Sequence, residues 1–238
     1  MTYYGLIGKN LSHSFSKKYF CKRFKSKNIS NIDYLNLEIN NIKLVKGLII
    51  EKKIKGFNVT TPYKEVIIPY LDWVDKLAEK VGSVNCVKVI DNKLLGYNTD
   101  IIGFEKSLSP ILDGRKSALI LGNGGASKSI RYILNKLKIK NQTVSRKSEF
   151  KYSDINDKII QQNKIIINCT PLGTFPNTEE YPDIPYTKLD SSHLLYDLTY
   201  NPTISSFLKK GLENSCAIKN GEEMLNIQAD ESYLIWDL

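Results

Sequence analysis

The feature that most constrains this chain is a glycine-rich turn set between two segments of different periodicity. Ala118-Leu119-Ile120-Leu121 is an unbroken apolar run, Gly122-Asn123-Gly124-Gly125-Ala126-Ser127 follows it, and the stretch from Gly124 to Leu137 has helical spacing. A strand that is apolar at every position belongs in a parallel sheet covered on both faces. Strand, glycine turn and helix in that order are the context of a dinucleotide-binding turn. Glycine lets the backbone bend sharply and approach a pyrophosphate, while N–H groups at the helix start face the anion. Taken alone, the G-x-G-G-A-S pattern also fits a purely structural left-handed turn, and Ser127 stands where the usual fingerprint has its third Gly or Ala.

The same alternation runs through the rest of the chain and predicts an α/β fold. Strands are expected at Tyr3–Gly8, Tyr34–Ile39 and Gly56–Thr60, with a helix opening at Ser16 whose stripe is Tyr19, Phe20, Cys21 and Phe24. A further helix is expected over Leu71–Val81, and a hairpin joins Val84–Ile90 to Leu94–Tyr97 around Asp91-Asn92. After a helix beginning near Ile101, Leu108-Ser109-Pro110 to Gly114 reads as a seam, and the pattern restarts at Ser117. Further strands are expected at Gln142–Ser145, Lys164–Asn168 and Leu194–Leu198. The reading is two α/β domains, residues 1–101 and 102–220, with 221–238 returning to the first.

Composition removes several alternatives. Cys21, Cys86, Cys169 and Cys216 are far apart, and with His13 and His193 they form no metal-binding spacing. They read as reduced thiols packed as small hydrophobes, and no metal is expected. No apolar run reaches the roughly 18 residues of a membrane span, and the N-terminus lacks the pattern of a signal peptide, so a cytoplasmic location without membrane contact is expected. The net charge of +9 raises the question of nucleic acid. Its source is scattered Lys; the arginines are only Arg23, Arg115, Arg131 and Arg146. That pattern reads as compositional drift rather than a nucleic-acid surface, although the field would help steer an anionic substrate.

Two places carry chemistry of their own. Ser145-Arg146-Lys147 ends the strand after the glycine turn, where NAD enzymes place an acidic residue for the ribose 2′-hydroxyl. Arg146 suits bidentate contact with a 2′-phosphate, which favours NADP over NAD. In the first half, Thr60-Thr61-Pro62-Tyr63-Lys64 joins a strand end to a helix whose first turn would accommodate Pro62. Lys64 by itself reads as a solvated charge, Asp100 as a helix N-cap, and the hydroxyls of Ser12, Ser14 and Ser16 as capping groups or a carboxylate cradle.

Together these segments resemble the shikimate dehydrogenase family. The motifs occur in order: Gly5-x-Ile7-Gly8…His13-Ser14-x-Ser16, Asn58-Val59-Thr60-x-Pro62-x-Lys64, Gly82-x-Val84-Asn85, and Asn98-Thr99-Asp100-x-x-Gly103-Phe104. They continue with Gly122-x-Gly124-Gly125-Ala126, Asn168-x-Thr170-Pro171-x-Gly173, Asp197-x-x-Tyr200-x-Pro202 and Met224-Leu225-x-x-Gln228-Ala229. They cover nearly the whole chain.

The resemblance implies an N-terminal substrate domain completed by the C-terminal helix, a Rossmann-like NADP domain, and a cleft between them. It implies Lys64 and Asp100 as the catalytic pair. Ser14 and Ser16 would hold the substrate carboxylate, with Thr60, Asn85, Tyr200 and Gln228 at its hydroxyls. Gly122, Gly124, Gly125, Ala126, Ser145, Arg146, Lys147, Thr170 and Gly221 would form the cofactor site. The reaction implied is reversible reduction of 3-dehydroshikimate by NADPH in aromatic amino-acid biosynthesis, by a monomer or homodimer. A quinate/shikimate dehydrogenase using NAD(P), or a non-catalytic paralogue that binds ligand, are the other readings. Lys17 stands where many relatives have Pro, Asn123 replaces a commoner Ala, and Ser145-Arg146-Lys147 replaces Asn-Arg-Thr. The sequence stops two residues after Trp236, so a final helix of longer relatives is expected to be absent. A free Lys titrates near 10.4; burial would lower Lys64 and the Asp100 charge would raise it, so the division of proton transfer between the pair stays open at this stage.

Overall fold

A computed structural model describes residues 1–12 and 14–238; His13, read as part of the turn before the first helix, lies outside the described residues. In chain order the elements are β1 (Thr2–Gly8), α1 (Ser16–Ser26), β2 (Ile32–Glu38), α2 (Val45–Glu51), β3 (Ile54–Val59), α3 (Tyr63–Val66), β4 (Trp73–Val74), α4 (Lys76–Val81), β5 (Cys86–Ile90), β6 (Lys93–Tyr97) and α5 (Asp100–Leu108). There follow β7 (Ser117–Leu121), α6 (Gly125–Lys136), β8 (Lys140–Val144), α7 (Asp157–Gln162), β9 (Ile165–Asn168), β10 (Leu194–Asp197), α8 (Ser206–Glu213), β11 (Ala217–Lys219) and α9 (Glu222–Ile235). The chain forms two compact units, Met1–Asp100 with Gln228–Leu238, and Ile101–Ile227. The seam therefore falls at the start of α5 and not in the 108–114 linker, where Ser109–Ile111 forms a 3-10 turn inside the second unit. The other crossing lies within α9, so residues 221–227 group with the second unit.

The first unit is built on a six-stranded sheet of order β2-β1-β3-β5-β6-β4. Its β2-β1-β3 part is parallel, whereas β3, β5 and β6 pair antiparallel. The β5–β6 turn needs left-handed backbone at Asp91 (φ 49) and Asn92 (φ 61), residues that tolerate it. One face buries Ile7, Phe57, Val59 and Val87 with Val45 and Ile49 of α2. The other is aromatic: Phe20 of α1 stacks on Tyr34 at 4.5 Å, and Trp236 lies 5.2 Å from Phe20. The Trp236 indole N–H also donates to Val87 O at 3.0 Å. Fully burying side chains of this size contributes on the order of 2–3 kcal/mol each, so the residues after Gln228 are part of this core. A methyl at Gly56 would lie 2.5 Å from the Trp236 ring, which explains the glycine opposite it.

The expected helix over Leu71–Val81 is shorter than its periodicity suggested. Trp73 and Val74 pair with Leu95 and Gly96 of β6, and α4 starts only after Asp75, whose carboxylate accepts from Leu77 N at 2.8 Å. An Asp N-cap and a free sheet edge outcompeted helical propensity.

The second unit has a five-stranded, wholly parallel sheet of order β11-β10-β9-β7-β8. Ile165, Ile166 and Ile167 of β9 and Leu119, Ile120 and Leu121 of β7 are all fully buried, as unalternating strands require. From β7 the chain passes outward through α6 to β8, then back through α7 to β9 on the other side of β7. This doubly wound reversal places a topological switch point between the carboxyl ends of β7 and β9, where open α/β sheets bind ligands.

Candidate active site

In the second unit the switch point is lined by the glycine turn and the loop after β9. Gly122 has φ +106, and a methyl there would press on Thr170 at 3.1 Å and the Cys169 backbone at 3.2 Å. Glycine is thus needed at this position both for its backbone conformation and for the close approach. Thr170 is fixed in turn: its N–H and hydroxyl both donate to Asn168 Oδ1, at 3.0 and 2.6 Å. Gly124 precedes α6 with extended backbone and no side-chain cap, and nothing lies within 4 Å of where its Cβ would be. Gly125 and Ala126 supply the first amides of this twelve-residue helix. An uncapped helix start with open space in front suits a phosphate group.

Beyond β8, Ser145 is buried and its hydroxyl accepts from the N–H groups of Lys147 and Ser148, at 3.2 and 3.0 Å. Ser145 therefore shapes the turn, while Arg146 and Lys147 stand exposed on it. Gly221 follows β11, its N–H donating to Thr199 O, and a methyl there would fall 2.1 Å from Leu198 O. These residues fit a dinucleotide with an extra phosphate: backbone donors and open space for the pyrophosphate, exposed cations for the 2′-phosphate.

Asp197 ends β10 fully buried, accepting from Asn168 Nδ2 and Thr199 N, both at 3.0 Å, and from Ser205. Burial pushes its carboxyl up to about 6 despite the Ser205, Thr199 and Asn168 hydrogen bonds, which pull the other way. Through Asn168 it ties the Thr170 loop to the segment leading to Tyr200, which is half-buried in this second unit.

In the first unit, Lys64 and Asp100 are 36 residues apart in sequence, and the Lys64 ammonium donates to Asp100 Oδ2 at 2.6 Å. Their side chains are only 16% and 5% exposed, so the pair is shielded from water. Lys64 is held by its neighbours. The Tyr63 hydroxyl donates to Ile39 O at 2.6 Å, Tyr63 N to Thr60 O at 2.9 Å, and Val84 N to Lys64 O at 2.8 Å. Pro62 stands just before α3, after a cis peptide bond, and not inside its first turn. Half-buried Thr60 follows β3, its N–H on Ile7 O.

Asn85 occupies the other oxygen. Its Nδ2 donates to Asp100 Oδ1 at 2.8 Å and to Thr99 Oγ1 at 2.9 Å, and its Oδ1 accepts from Thr99 N at 2.7 Å. The amide orientation is thereby fixed, with nitrogen toward the carboxylate. Gln228 Oε1 lies 3.3 Å from the same Nδ2. Asp100 is thus a shared acceptor at the start of α5 and not an N-cap. At the start of α1, Ser14 Oγ accepts from Ser16 N at 3.3 Å, and both serines are half-buried. Burial holds the Tyr34 phenol well above its ordinary value, and a hydrogen bond with the Ser16 hydroxyl partly offsets this.

The structure thus gathers Lys64, Asp100, Asn85 and Gln228, and separately Gly122, Thr170 and the α6 start. Sequence reasoning passed over Asn58, Thr99 and Ser232 as site residues. The one signal for Ser232 was its place a helical turn after Gln228, on the same face of α9.

A doubly wound sheet with an open, uncapped helix start, in one chain with a largely buried lysine–carboxylate pair, fits a nicotinamide-dependent dehydrogenase. The family model for the shikimate dehydrogenase substrate binding domain matches residues 6–87. The shikimate dehydrogenase (NADP(+)) of Staphylococcus epidermidis is 39% identical over 247 residues, covering 98% of this chain and 91% of that protein. Shikimate dehydrogenase 1 from Peptoclostridium difficile superposes with a TM-score of 0.88 at 35% identity, over 100% of this chain and 92% of that one. A shikimate dehydrogenase solved in complex with NADP+ gives a TM-score of 0.85 at 32% identity, over 99% and 90% of the two chains. This chain belongs to the shikimate dehydrogenase family. Among the described residues no helix is long and apolar enough to cross a membrane, and no His, Cys, Asp and Glu cluster could hold a metal ion.

Proposed function

We propose that this chain catalyses the reversible, NADPH-dependent reduction of 3-dehydroshikimate to shikimate in the cytoplasm, as a step of aromatic amino-acid biosynthesis. The observation that carries the reading is the Lys64–Asp100–Asn85 constellation, largely buried and geometrically fixed, in a chain about 40% identical to curated relatives named shikimate dehydrogenase (NADP(+)). When bound, NADPH supplies the hydride that reduces the ketone carbon.

Reduction turns the ketone oxygen into an alkoxide that needs a proton and a nearby positive charge. Lys64 Nζ supplies both, giving a proton to that oxygen and regaining one from solvent; in the oxidative direction it receives the alcohol proton. Asp100 Oδ2 keeps the ammonium in place, and Asn85 keeps Asp100 from turning. Shielding of the pair from water strengthens its field at the reacting oxygen. Ser14 and Ser16 are assigned to the substrate carboxylate, and Thr60, Asn85, Gln228 and Tyr200 to its hydroxyls, on their family motifs. Gly122, Gly124, Gly125, Ala126 and Thr170 would hold the pyrophosphate region, Arg146 and Lys147 the 2′-phosphate, and Gly221 the groove wall.

The test follows absorbance at the NADPH band with shikimate or quinate, each with NADP or NAD. Turnover fastest with shikimate and NADP is expected. A preference for quinate, or for NAD, overturns the assignment, and tight NADPH binding without turnover would mark a non-catalytic relative.

A further inference from the structure

Behind the catalytic pair runs a chain of buried polar side chains whose proton bookkeeping singles out one residue. The Tyr34 hydroxyl donates to Asn58 Oδ1 at 2.9 Å. Asn58 Nδ2 spends its two protons on Asn85 O at 3.2 Å and Ser232 Oγ at 2.8 Å. On the far side Thr99 Oγ1, which accepts from Asn85 Nδ2, lies 3.4 Å from Ser232 Oγ. Ser232 has one proton, and its nearest acceptor is Gln228 O, one turn back on α9, at 2.9 Å. Once that proton is committed, the two lone pairs of Ser232 receive Asn58 and Thr99. Two hydrogen-bonded branches therefore end on one oxygen that is fully buried, as Thr99, Asn58 and Asn85 nearly are.

We propose that Ser232 is a positioning residue for the reaction: as the common acceptor for Asn58 and Thr99, it fixes the amide of Asn85 and so the orientation of Asp100 and Lys64. Resting on the reading of Lys64 and Asp100 given above, it adds a residue that touches neither of them. Loss of the hydroxyl leaves the buried Asn58 amide N–H without its acceptor and takes from Thr99 Oγ1 one of the three oxygens around it. Thr99 then swings toward Asn85 Oδ1 or Gln228 Oε1, which lie 3.3 and 3.5 Å from its hydroxyl, and drags the amide that holds Asp100. Small displacements of reacting groups cost rate more than binding.

The experiment compares Ser232→Ala, Thr99→Val, their double variant and Thr99→Ser, reading kcat, KM for shikimate and Kd for NADPH, with a thermal melt to establish folding. Ser232→Ala and Thr99→Val are each expected to lower kcat about tenfold, leaving NADPH affinity unchanged. The double variant should be no worse than the poorer single, because both act through one path. Thr99→Ser, which keeps the hydroxyl, should restore kcat. Wild-type kcat in Ser232→Ala overturns the proposal, and so do losses that multiply in the double variant. If Ser232→Ala does not fold, equal kcat in Thr99→Val and Thr99→Ser overturns it instead. Lys64→Met serves as the separate control: turnover surviving there removes the underlying site reading, whereas its loss beside an unaffected Ser232→Ala removes this proposal alone.

Discussion

The two units prepare for their ligands by opposite means. In the first, the groups we propose as functional are side chains, largely buried and locked to one another: Asp100 is held from both oxygens, and Asn85 has its nitrogen and oxygen both engaged. In the second, the groups we assign to the phosphates are backbone amides and exposed cations, and buried Asn168 and Asp197 set the loops behind them. A proton must be delivered at one atom with little tolerance, so its donor is held in a preorganised network. A dinucleotide is gripped along its length, so its site is distributed, and single losses there should be milder.

The sharpest break in that contrast comes from Lys64→Met, expected to lower kcat about a thousandfold, the range of a lost general acid, with NADPH Kd unchanged by fluorescence titration. Next comes pH. Asp197 titrates near 3.8 when unfolded and about 6 when folded, so its native form binds the proton more tightly. Its contribution to stability is therefore greatest below pH 4 and falls as pH rises to about 6, by about 3 kcal/mol in all. Melting curves across that window should show the decline, and Asp197→Asn should flatten it. Arg146→Ala should then weaken NADPH by about thirtyfold, some 2 kcal/mol for a lost charge-assisted contact, while leaving NADH unchanged; equal losses with both cofactors would remove the 2′-phosphate assignment. Smallest is Gly124→Ala. Open space and ordinary backbone there predict a melting temperature close to wild type, with NADPH affinity lowered several-fold, about 1 kcal/mol, as the methyl narrows the approach to α6. A large loss of stability would show that this glycine serves the fold.

The same contrast explains what the sequence made legible. The glycine turn is local: apolar run, glycines and helical spacing are contiguous, and each has a short-range physical cause. Arg146 was placed at the end of the following strand by the same kind of local pattern. Lys64 and Asp100 carry no such signal. One reads as a surface charge and the other as a cap, and only the ordered family motifs joined them, because their meeting depends on the β3–β5–β6 pairing. Ser232 was beyond reach, since a serine inside a helix gains its role solely from what it faces. The Leu71–Val81 stretch shows the opposite failure, where helical spacing was clear but an edge pairing at Trp73 and Val74 prevailed.

The return of residues 228–238 to the first unit has a consequence for how the protein is made. A ribosome releases the segments in order, so the sheet strands of residues 1–100 are out long before Trp236, which covers Phe20 and Gly56, can reach them. Until then the older half of the nascent chain exposes an aromatic sheet face, and Asn58 and Thr99 lack the oxygen they share. Completion of this core thereby waits for the segment after Gln228, and a chain interrupted before it leaves the Asn58–Thr99 network open.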